Sequence, residues 1–185
     1  MSQQEMSKRD SWANEFFEYI EMIFATIMVV TLIFTFIVRP ATVHGSSMVP
    51  TLENGDKLLI SKLFYEPKQG DVVVIPHPNM TPEEPALIKR VIALEGQTVD
   101  IDFENGDVFV DGVLLDEPYI NEPTYEQQDF EGPLTVPKGE VFVLGDNRNA
   151  SADSRSSVYG TFDKDYILGR CIFRFGPFDK IGSVK

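Results

Sequence analysis

The sequence has one cysteine and two histidines among its 185 residues, and these shortages limit the chemistry available to it. Cys171 cannot form an intrachain disulfide, and the alternating apolar pattern around it predicts a packed strand residue rather than a nucleophile. No Gly-x-Ser-x-Gly elbow is present, so a catalytic triad built on His44 or His77 has little support. No lysine follows a serine by three residues, which excludes the Ser-x-x-Lys chemistry of penicillin-binding proteins.

Basic residues are also scarce in most of the chain. After Pro40 there are 13 Lys and Arg residues against 24 Asp and Glu residues. Such a domain repels an extended phosphate backbone, so nucleic acid is not expected as a partner. The length fits one compact domain with a short appendage, and a hydrophobic content of 43% suits a folded core.

One long uncharged run stands near the N-terminus. Met22–Val38 contains 17 residues without a formal charge, most of them Ile, Val, Phe, Leu and Met. With the apolar residues before it, the run reaches the length of a helix that crosses roughly 30 Å of hydrocarbon. The alternatives are a buried core helix and a cleaved secretory signal. Glutamates precede the run, however, and Arg39-Pro40 stands where a cleaved signal needs small residues.

The run predicts a division of the chain into three parts. Residues 1–15 are expected to form a cytoplasmic tail, residues 16–39 a membrane anchor, and residues 40–185 an extracytoplasmic domain. Lys8 and Arg9 precede the anchor, which agrees with a tail on the inner side. The protein is therefore expected to be a single-pass protein of the cell membrane.

The domain after Pro40 is predicted to be all-β. It has no apolar stripe of helical period, whereas short alternating or β-branched runs recur between turn residues. Asp111-Gly112 between two apolar runs predicts a two-residue hairpin, and the stretch around 104–137 predicts an irregular lobe. The predicted strands are Lys57–Ser61, Asp71–Ile75, Leu87–Leu94, Thr98–Phe103, Val108–Val110, Val113–Leu115, Val141–Leu144 and Cys171–Phe175.

Three segments carry residues suited to catalysis. The first, Val43–Leu52, presents Ser47 a few residues beyond the predicted membrane exit. A serine among glycine and proline residues is more often a turn or cap than a nucleophile. For Ser47 to act as a nucleophile, another segment must supply the general base.

The second segment is an apolar strand that contains Lys89 and Arg90. A strand lysine is ordinarily solvated, and strand alternation allows one of these two side chains to point outward while the other points inward. A lysine with an ordinary pKa near 10.4 is almost fully charged at neutral pH, but burial disfavours the charge and lowers the pKa by several units. A buried Lys89 is therefore a candidate general base, whereas Arg90 stays protonated.

The third segment is the loop 145–155. One of its two serines, Ser151, is predicted to be held rigidly against the Lys89 amine and to orient it toward Ser47. Four charged residues are expected to form internal ion pairs that fix the loop: Asp146, Arg148, Asp153 and Arg155.

Together these segments resemble the bacterial type I signal peptidases, which are membrane-bound serine proteases with a Ser-Lys dyad. The resemblance rests on four motifs in family order, which are very specific together and lie within Phe16–Gly176. The motifs are Gly45–Leu52, Gly70–Val73, Lys89–Val91 and Gly145–Arg155. The short loops resemble the compact single-span members of Gram-positive bacteria, and the implied fold is a domain of coiled antiparallel sheets behind a membrane helix.

The resemblance implies a role for each matched residue. Ser47 takes the position of the nucleophile, Lys89 of the general base and Ser151 of the lysine-orienting serine. Some relatives donate a serine hydroxyl to the oxyanion from the position of Gly45. This chain is thus left with backbone donors at Gly45 and chiefly at Ser47.

The implied substrate is a preprotein whose signal peptide still lies in the bilayer. It would be cleaved after a small residue, by a monomeric enzyme that needs no cofactor. The residues expected to line the peptide groove are Met48, Pro85, Leu87 and Ile88. No metal site is expected, because Asp100–Asn105 spaces its acids like a calcium loop but lacks the required glycine.

Two rival functions are considered. A self-cleaving Ser-Lys repressor would carry a DNA-binding helical module and lack a membrane span. A membrane-anchored β module that only binds peptides would use the same sheet edges, and it predicts that Ser47→Ala has no effect.

Overall fold

The computed structural model describes residues 3–76 and 86–184. The chain divides into two compact units, Met1–Val38 and Arg39–Lys185, each with its own internal contacts. The first unit is the helix α1, Gln3–Phe36. The second unit is built from strands and short 3₁₀ turns.

Helix α1 contains a stretch that is long and apolar enough to cross a membrane. The stretch Glu15–Thr35 has 21 residues, and none of it is buried. At about 1.5 Å per residue it spans about 31 Å, close to the thickness of a hydrocarbon layer. The Thr26 and Thr31 hydroxyls donate to backbone carbonyls four residues earlier, at 2.7 and 2.8 Å. Both polar groups are therefore satisfied inside the helix.

Residues 39–76 and 86–184 form two antiparallel sheets. Their strands are β1 (Arg39–Thr42), β2 (Lys57–Ser61), β3 (Val72–Pro76), β4 (Ala86–Leu94), β5 (Thr98–Asp102), β6 (Asp107–Val110), β7 (Val113–Leu114), β8 (Leu134–Thr135), β9 (Glu140–Leu144), β10 (Phe162–Asp163), β11 (Gly169–Gly176) and β12 (Gly182–Ser183). The larger sheet has the order β1-β2-β11-β3-β4-β9-β10, with β12 on β11. The smaller sheet has the order β7-β6-β5-β8. The predicted all-β domain is confirmed.

The centre of the larger sheet is covered on both faces. On β3, Val72 and Val74 pack into one apolar cluster, while Val73 and Ile75 pack into another on the opposite face. The sequence of a strand that is buried on both faces is a continuous run of apolar residues, as it is in β3. The neighbouring strand β4 therefore has little access to solvent on either face.

The region around 104–137 contains the predicted strands β6 and β7 and the short strand β8, which was not predicted. All three join β5 in the smaller sheet. The Asp111-Gly112 hairpin is confirmed, because both residues have positive φ, +53° and +76°, as a type I′ turn requires. The apolar side chains of this sheet pack against β4 and β9 through a shared core.

The eight strands predicted from the sequence are present, with bounds that differ by up to two residues. Four short strands were not predicted: β1, β8, β10 and β12. Strand β1 contains Pro40, which is tolerated because, among the described strands, β1 lies at the sheet edge and pairs only with β2.

Candidate active site

Ser47 lies in a tight turn that follows strand β1. Gly45 has a φ of +85°, a conformation that favours glycine, and its N–H donates to Asn54 Oδ1 at 3.0 Å. Met48 is buried in the core, and its carbonyl accepts from the Leu52 N–H at 2.9 Å. The turn is thus fixed on both sides of Ser47, which is itself partly exposed.

The two predicted oxyanion donors differ in availability. The Gly45 N–H is already bonded to Asn54, so the structure does not support Gly45 as a free donor. Within the described residues, the Ser47 N–H donates to no other group. It is the donor of this turn that is free to bind a developing negative charge.

Lys89 lies in the middle of β4 and is 2% exposed. Val73 of β3 lies directly opposite, so the lysine faces an apolar neighbour across the ladder. Burial lowers the pKa of Lys89 to about 8. Smaller effects come from Asp153, which raises the pKa, from Arg155, which lowers it further, and from Asp146, which raises it. A substantial fraction of the amine is therefore neutral near pH 8.

The adjacent Arg90 is also 2% exposed, so neither of the two cations faces solvent, although strand alternation would allow one of them to do so. The Arg90 guanidinium donates two hydrogen bonds to Asp146, at 2.8 and 2.7 Å, and a third to the Gly70 carbonyl at 2.7 Å. The Tyr119 ring covers its outer face, with the guanidinium carbon 3.9 Å from the ring centroid. Strand alternation did not predict this because the covering groups come from distant segments.

Gly145 joins the Ser47 turn to the loop that carries Ser151. A Cβ atom at Gly145 would lie 2.2 Å from Ser151 Oγ and 2.5 Å from the Ser47 carbonyl oxygen. The same carbonyl accepts from the Asn147 N–H at 3.0 Å, and Asn147 Nδ2 donates to the Ser46 carbonyl at 3.1 Å. Only glycine lets these two segments approach so closely.

Ser151 is buried next to this junction. Its Oγ atom has no hydrogen-bond partner among the residues that the structure describes. A buried hydroxyl without a partner costs free energy, and such groups are often found where function requires them. The Ser151 hydroxyl is therefore free to bond to an amine in its vicinity.

The charged residues of the 145–155 loop are all buried, but only one ion pair lies within the loop. Arg155 binds Asp153 through two nitrogens, at 2.8 and 2.9 Å. Asp146 pairs instead with Arg90 of β4, and Arg148 pairs with Glu117 at 2.6 Å. The prediction of purely internal pairs was thus half wrong, and the loop is tied to two other parts of the domain.

A groove of about 410 Å³ opens beside Ser47. Its lining includes residues 40–45 on one side and Ala86, Leu87 and Ile88 of β4 on the other, with Met48 beneath the turn. Strand β4 pairs with β9 only from Arg90 onward. Within the described residues, the preceding part of β4 pairs only with β3, which leaves its backbone open toward the groove.

Similarity to known proteins identifies the family. Residues 16–176 match the model of the family described as signal peptidase, peptidase S26. The chain belongs to this family. It is 39% identical over 175 residues to a probable signal peptidase I-1 of Synechocystis, covering 90% of this chain and 86% of that protein.

A second relative agrees with this assignment. Signal peptidase I of Bacillus licheniformis is 35% identical, with 91% of this chain and 92% of that protein covered. The chain is accordingly an enzyme, a serine peptidase of the signal peptidase I type. It is also similar to a crystal structure of a signal peptidase I from Enterococcus faecalis, which is 31% identical, covers 57% of this chain and 97% of its own, and has a TM-score of 0.47.

In this signal peptidase family member, five of the predicted site residues line the groove: Gly45, Ser47, Met48, Leu87 and Ile88. Lys89 and Ser151 are buried and do not line it. Pro85, predicted to line the groove, and His77 lie outside the described residues. The catalytic roles of Ser47, Lys89 and Ser151 stay predictions at this stage.

The acidic run around Asp100–Asn105 is engaged in a turn. The Asn105 side-chain amide donates to Asp102 Oδ2 at 2.7 Å, and the N–H groups of Asn105 and Glu104 donate to Oδ1 at 3.1 and 2.9 Å. These bonds lower the pKa of the Asp102 carboxyl group. Within residues 3–76 and 86–184, no group of three or more His, Cys, Asp and Glu side chains is arranged to hold a metal ion.

Three residues near the site were missed by the sequence reasoning. Thr51 donates to Asp146 Oδ2 at 2.5 Å, Glu117 binds Arg148, and Tyr119 covers Arg90. Thr51 lies within a recognised motif and was a detectable candidate. Glu117 and Tyr119 lie in a segment without a regular pattern, where nothing local indicates their buried partners.

Proposed function

We propose that the chain is a membrane-anchored signal peptidase I that removes signal peptides from preproteins, with Ser47 as nucleophile and Lys89 as general base. The observation that carries the proposal is a lysine that is 2% exposed, with its pKa lowered to about 8, on the strand that lines the Ser47 groove. A lysine costs free energy when it is buried without a carboxylate bonded to it. General-base catalysis requires such a neutral amine.

The reaction follows from the groups in the groove. Ser47 Oγ attacks the carbonyl carbon of the scissile peptide while Lys89 Nζ accepts its proton, and the Ser47 N–H stabilises the oxyanion. The C–N bond breaks as Lys89 returns the proton to the leaving amine, which leaves an acyl-enzyme ester. Lys89 then takes a proton from water, whose oxygen attacks the ester carbonyl. The C–O bond to Ser47 breaks as Lys89 gives that proton to Ser47 Oγ, which restores both residues. Ser151 orients the Lys89 amine in both steps.

The substrate is proposed to bind as an extended strand. Its backbone would pair with the open edge of β4 before Lys89 and with the segment that leads into the Ser47 turn. The apolar lining from Met48, Leu87 and Ile88 suits small uncharged side chains next to the scissile bond.

The helix α1 is proposed to anchor the enzyme, with residues 1–15 in the cytoplasm and residues 40–185 outside as a monomeric catalytic domain. An anchor places enzyme and preprotein in the same bilayer, which raises their effective concentration. Protease added to intact cells should remove an epitope fused after residue 185 and spare one fused before residue 1. The opposite pattern would refute the orientation.

Cleavage of a preprotein by the full-length chain in detergent tests the dyad. Ser47→Ala and Lys89→Ala should each abolish cleavage, whereas the matched surface changes Ser46→Ala and Lys138→Ala should leave it intact. The wild-type rate should rise about tenfold per pH unit below pH 8 and level off above it, as the neutral amine accumulates. Comparable cleavage by either dyad variant would favour a peptide-binding module or another mechanism.

A further inference from the structure

The segment 117–121 crosses two buried arginines beside the candidate active site, and the proposed reaction uses none of its residues. Glu117 and Tyr119 both point into the domain: the Glu117 side chain is 7% exposed, and the Tyr119 ring covers Arg90. The Tyr119 hydroxyl donates to Glu117 Oε1 at 3.0 Å, so the two side chains form one unit. We refer to Glu117 and Tyr119 as the clamp.

The first arm of the clamp holds Arg148. Glu117 accepts two hydrogen bonds from the Arg148 guanidinium, at 3.0 and 2.6 Å. The Arg148 Nε donates to the Gly145 carbonyl at 2.9 Å, and Nη1 also donates to Thr124 Oγ1 at 2.9 Å. Glu117 thereby fixes the peptide at Gly145, the residue that lies between the Ser47 carbonyl and Ser151 Oγ.

The second arm holds Arg90, the neighbour of Lys89. The Tyr119 ring lies 3.9 Å from the guanidinium carbon, a distance at which the ring face attracts a cation and keeps water away. Under this cover Arg90 makes its bidentate pair with Asp146. Burial and the Glu117 charge raise the pKa of Tyr119, so its hydroxyl stays protonated and continues to donate.

Both arms lead to the Ser47 turn. Through Arg90 and Asp146, the Tyr119 arm reaches Thr51, whose hydroxyl donates to Asp146 Oδ2. The Asp146 carbonyl also accepts from the Asn121 N–H at 3.1 Å, which ties the clamp segment to the same peptide. One segment therefore restrains the serine turn, the loop junction and the residue next to the lysine.

We propose that Glu117 and Tyr119 are positioning residues, which hold the Ser47 turn and the Lys89 strand in the mutual arrangement that peptide cleavage requires. The inference rests on the proposed Ser-Lys function. The inference gives the segment 117–121 a role in the proposed reaction, although its residues are neither the nucleophile nor the base. Both residues act through arginines rather than on the substrate.

The clamp also bears on the protonation of Lys89. Among the residues that the structure describes, the charged groups that act on this amine are Asp153, Arg155 and Asp146, while β3 presents the uncharged Val73. Without the Tyr119 ring, water reaches the Arg90–Asp146 pair and Asp146 is less fully neutralised. Both changes favour the charged amine, so the midpoint of the pH–rate profile moves to higher pH.

The test compares three variants of the full-length chain in detergent with a preprotein substrate. Tyr119→Leu removes the ring, Tyr119→Phe keeps it, and Tyr166→Leu is the matched control at an exposed tyrosine. We expect Tyr119→Leu to lower kcat about tenfold at pH 7 with little change in KM, and to move the midpoint up by about one pH unit. Tyr119→Phe should restore most of the wild-type profile, and Tyr166→Leu should match the wild type.

Glu117→Gln provides an independent variant, because it keeps the shape but removes the charge that holds Arg148. It should lower kcat more than it changes KM at temperatures well below its melting point. If Tyr119→Leu does not fold, the kcat and KM of Glu117→Gln test the proposal on their own. Variants that fold and keep the wild-type kcat and pH midpoint would overturn the clamp.

Ser47→Ala and Lys89→Ala in the same assay separate the two proposals. If both are inactive and the clamp variants behave like the wild type, only the clamp is wrong. If either dyad variant still cleaves, the dyad fails and the clamp inference fails with it.

Discussion

Replacing Lys89 with methionine is expected to abolish cleavage and, at neutral pH, to make the folded domain more stable. The pKa of Lys89 falls from 10.5 to about 8 on folding. At about 1.4 kcal/mol per pH unit, this difference means that the charged lysine lowers the free energy of unfolding by about 3 kcal/mol. Methionine fills a similar volume without a charge and removes that cost.

The sign of the pH dependence follows from proton uptake. Between pH 8 and 10.5 the unfolded lysine is protonated and the folded one is neutral, so unfolding binds a proton. The stability of the wild type relative to Lys89→Met must therefore rise across this window. The advantage of Lys89→Met is complete below pH 8 and vanishes above pH 10.5.

Thermal unfolding of the full-length chain in detergent, followed by near-ultraviolet circular dichroism, measures this effect. The single tryptophan, Trp12, lies in helix α1, so that the tyrosine signal is the better reporter of the catalytic domain. About 3 kcal/mol corresponds to a rise in Tm of roughly 6–12 °C for a domain of this size. Lys138→Met at an exposed position is the control and should leave Tm unchanged.

Two results would refute this reasoning. If Lys89→Met is no more stable than the wild type at pH 7, the folded lysine does not suffer a desolvation penalty. If its advantage persists unchanged at pH 10.5, the gain comes from packing and not from the charge.

Three shorter predictions concern the surroundings of the site. Gly145→Ala should reduce kcat/KM by more than about tenfold, because its Cβ would lie 2.2 Å from Ser151 Oγ, and a wild-type rate would contradict this. Asp146→Ala should lower the free energy of unfolding by about 3–5 kcal/mol in urea titrations, since it leaves Arg90 buried without its carboxylate. Cys171, whose burial raises its pKa to about 12, should react with a thiol reagent only after unfolding, and prompt labelling of the folded chain would show that it is accessible.

The sequence predicted those parts of the structure that depend on local patterns. The strands with alternating or β-branched residues were found, and the Asp111-Gly112 dipeptide identified its hairpin because few residue types adopt positive φ. Strands β8, β10 and β12 have two residues each and present too short a pattern to be recognised. Their existence depends on pairing with a neighbour rather than on their own sequence.

The burial of Arg90 shows where local reasoning fails. Its carboxylate partner, Asp146, is 56 residues away, and its aromatic cover, Tyr119, comes from a segment that reads as a loop. Strand periodicity predicts which face a side chain occupies, but it does not predict whether another segment covers that face. Neither cation is therefore exposed to solvent, although the alternation of the strand would allow one of them to be.

The paired charges around Lys89 affect the pKa of this lysine, and this effect accounts for them better than stability does. Buried ion pairs contribute little net stability, because desolvation offsets their attraction. Asp153 raises the pKa of Lys89 while its partner Arg155 lowers it, so that the pair acts on the lysine with opposite signs. A lone carboxylate in the same place would keep the amine charged. Pairing each acid with an arginine lets burial decide the protonation of Lys89, and burial favours the neutral base that the proposed reaction requires.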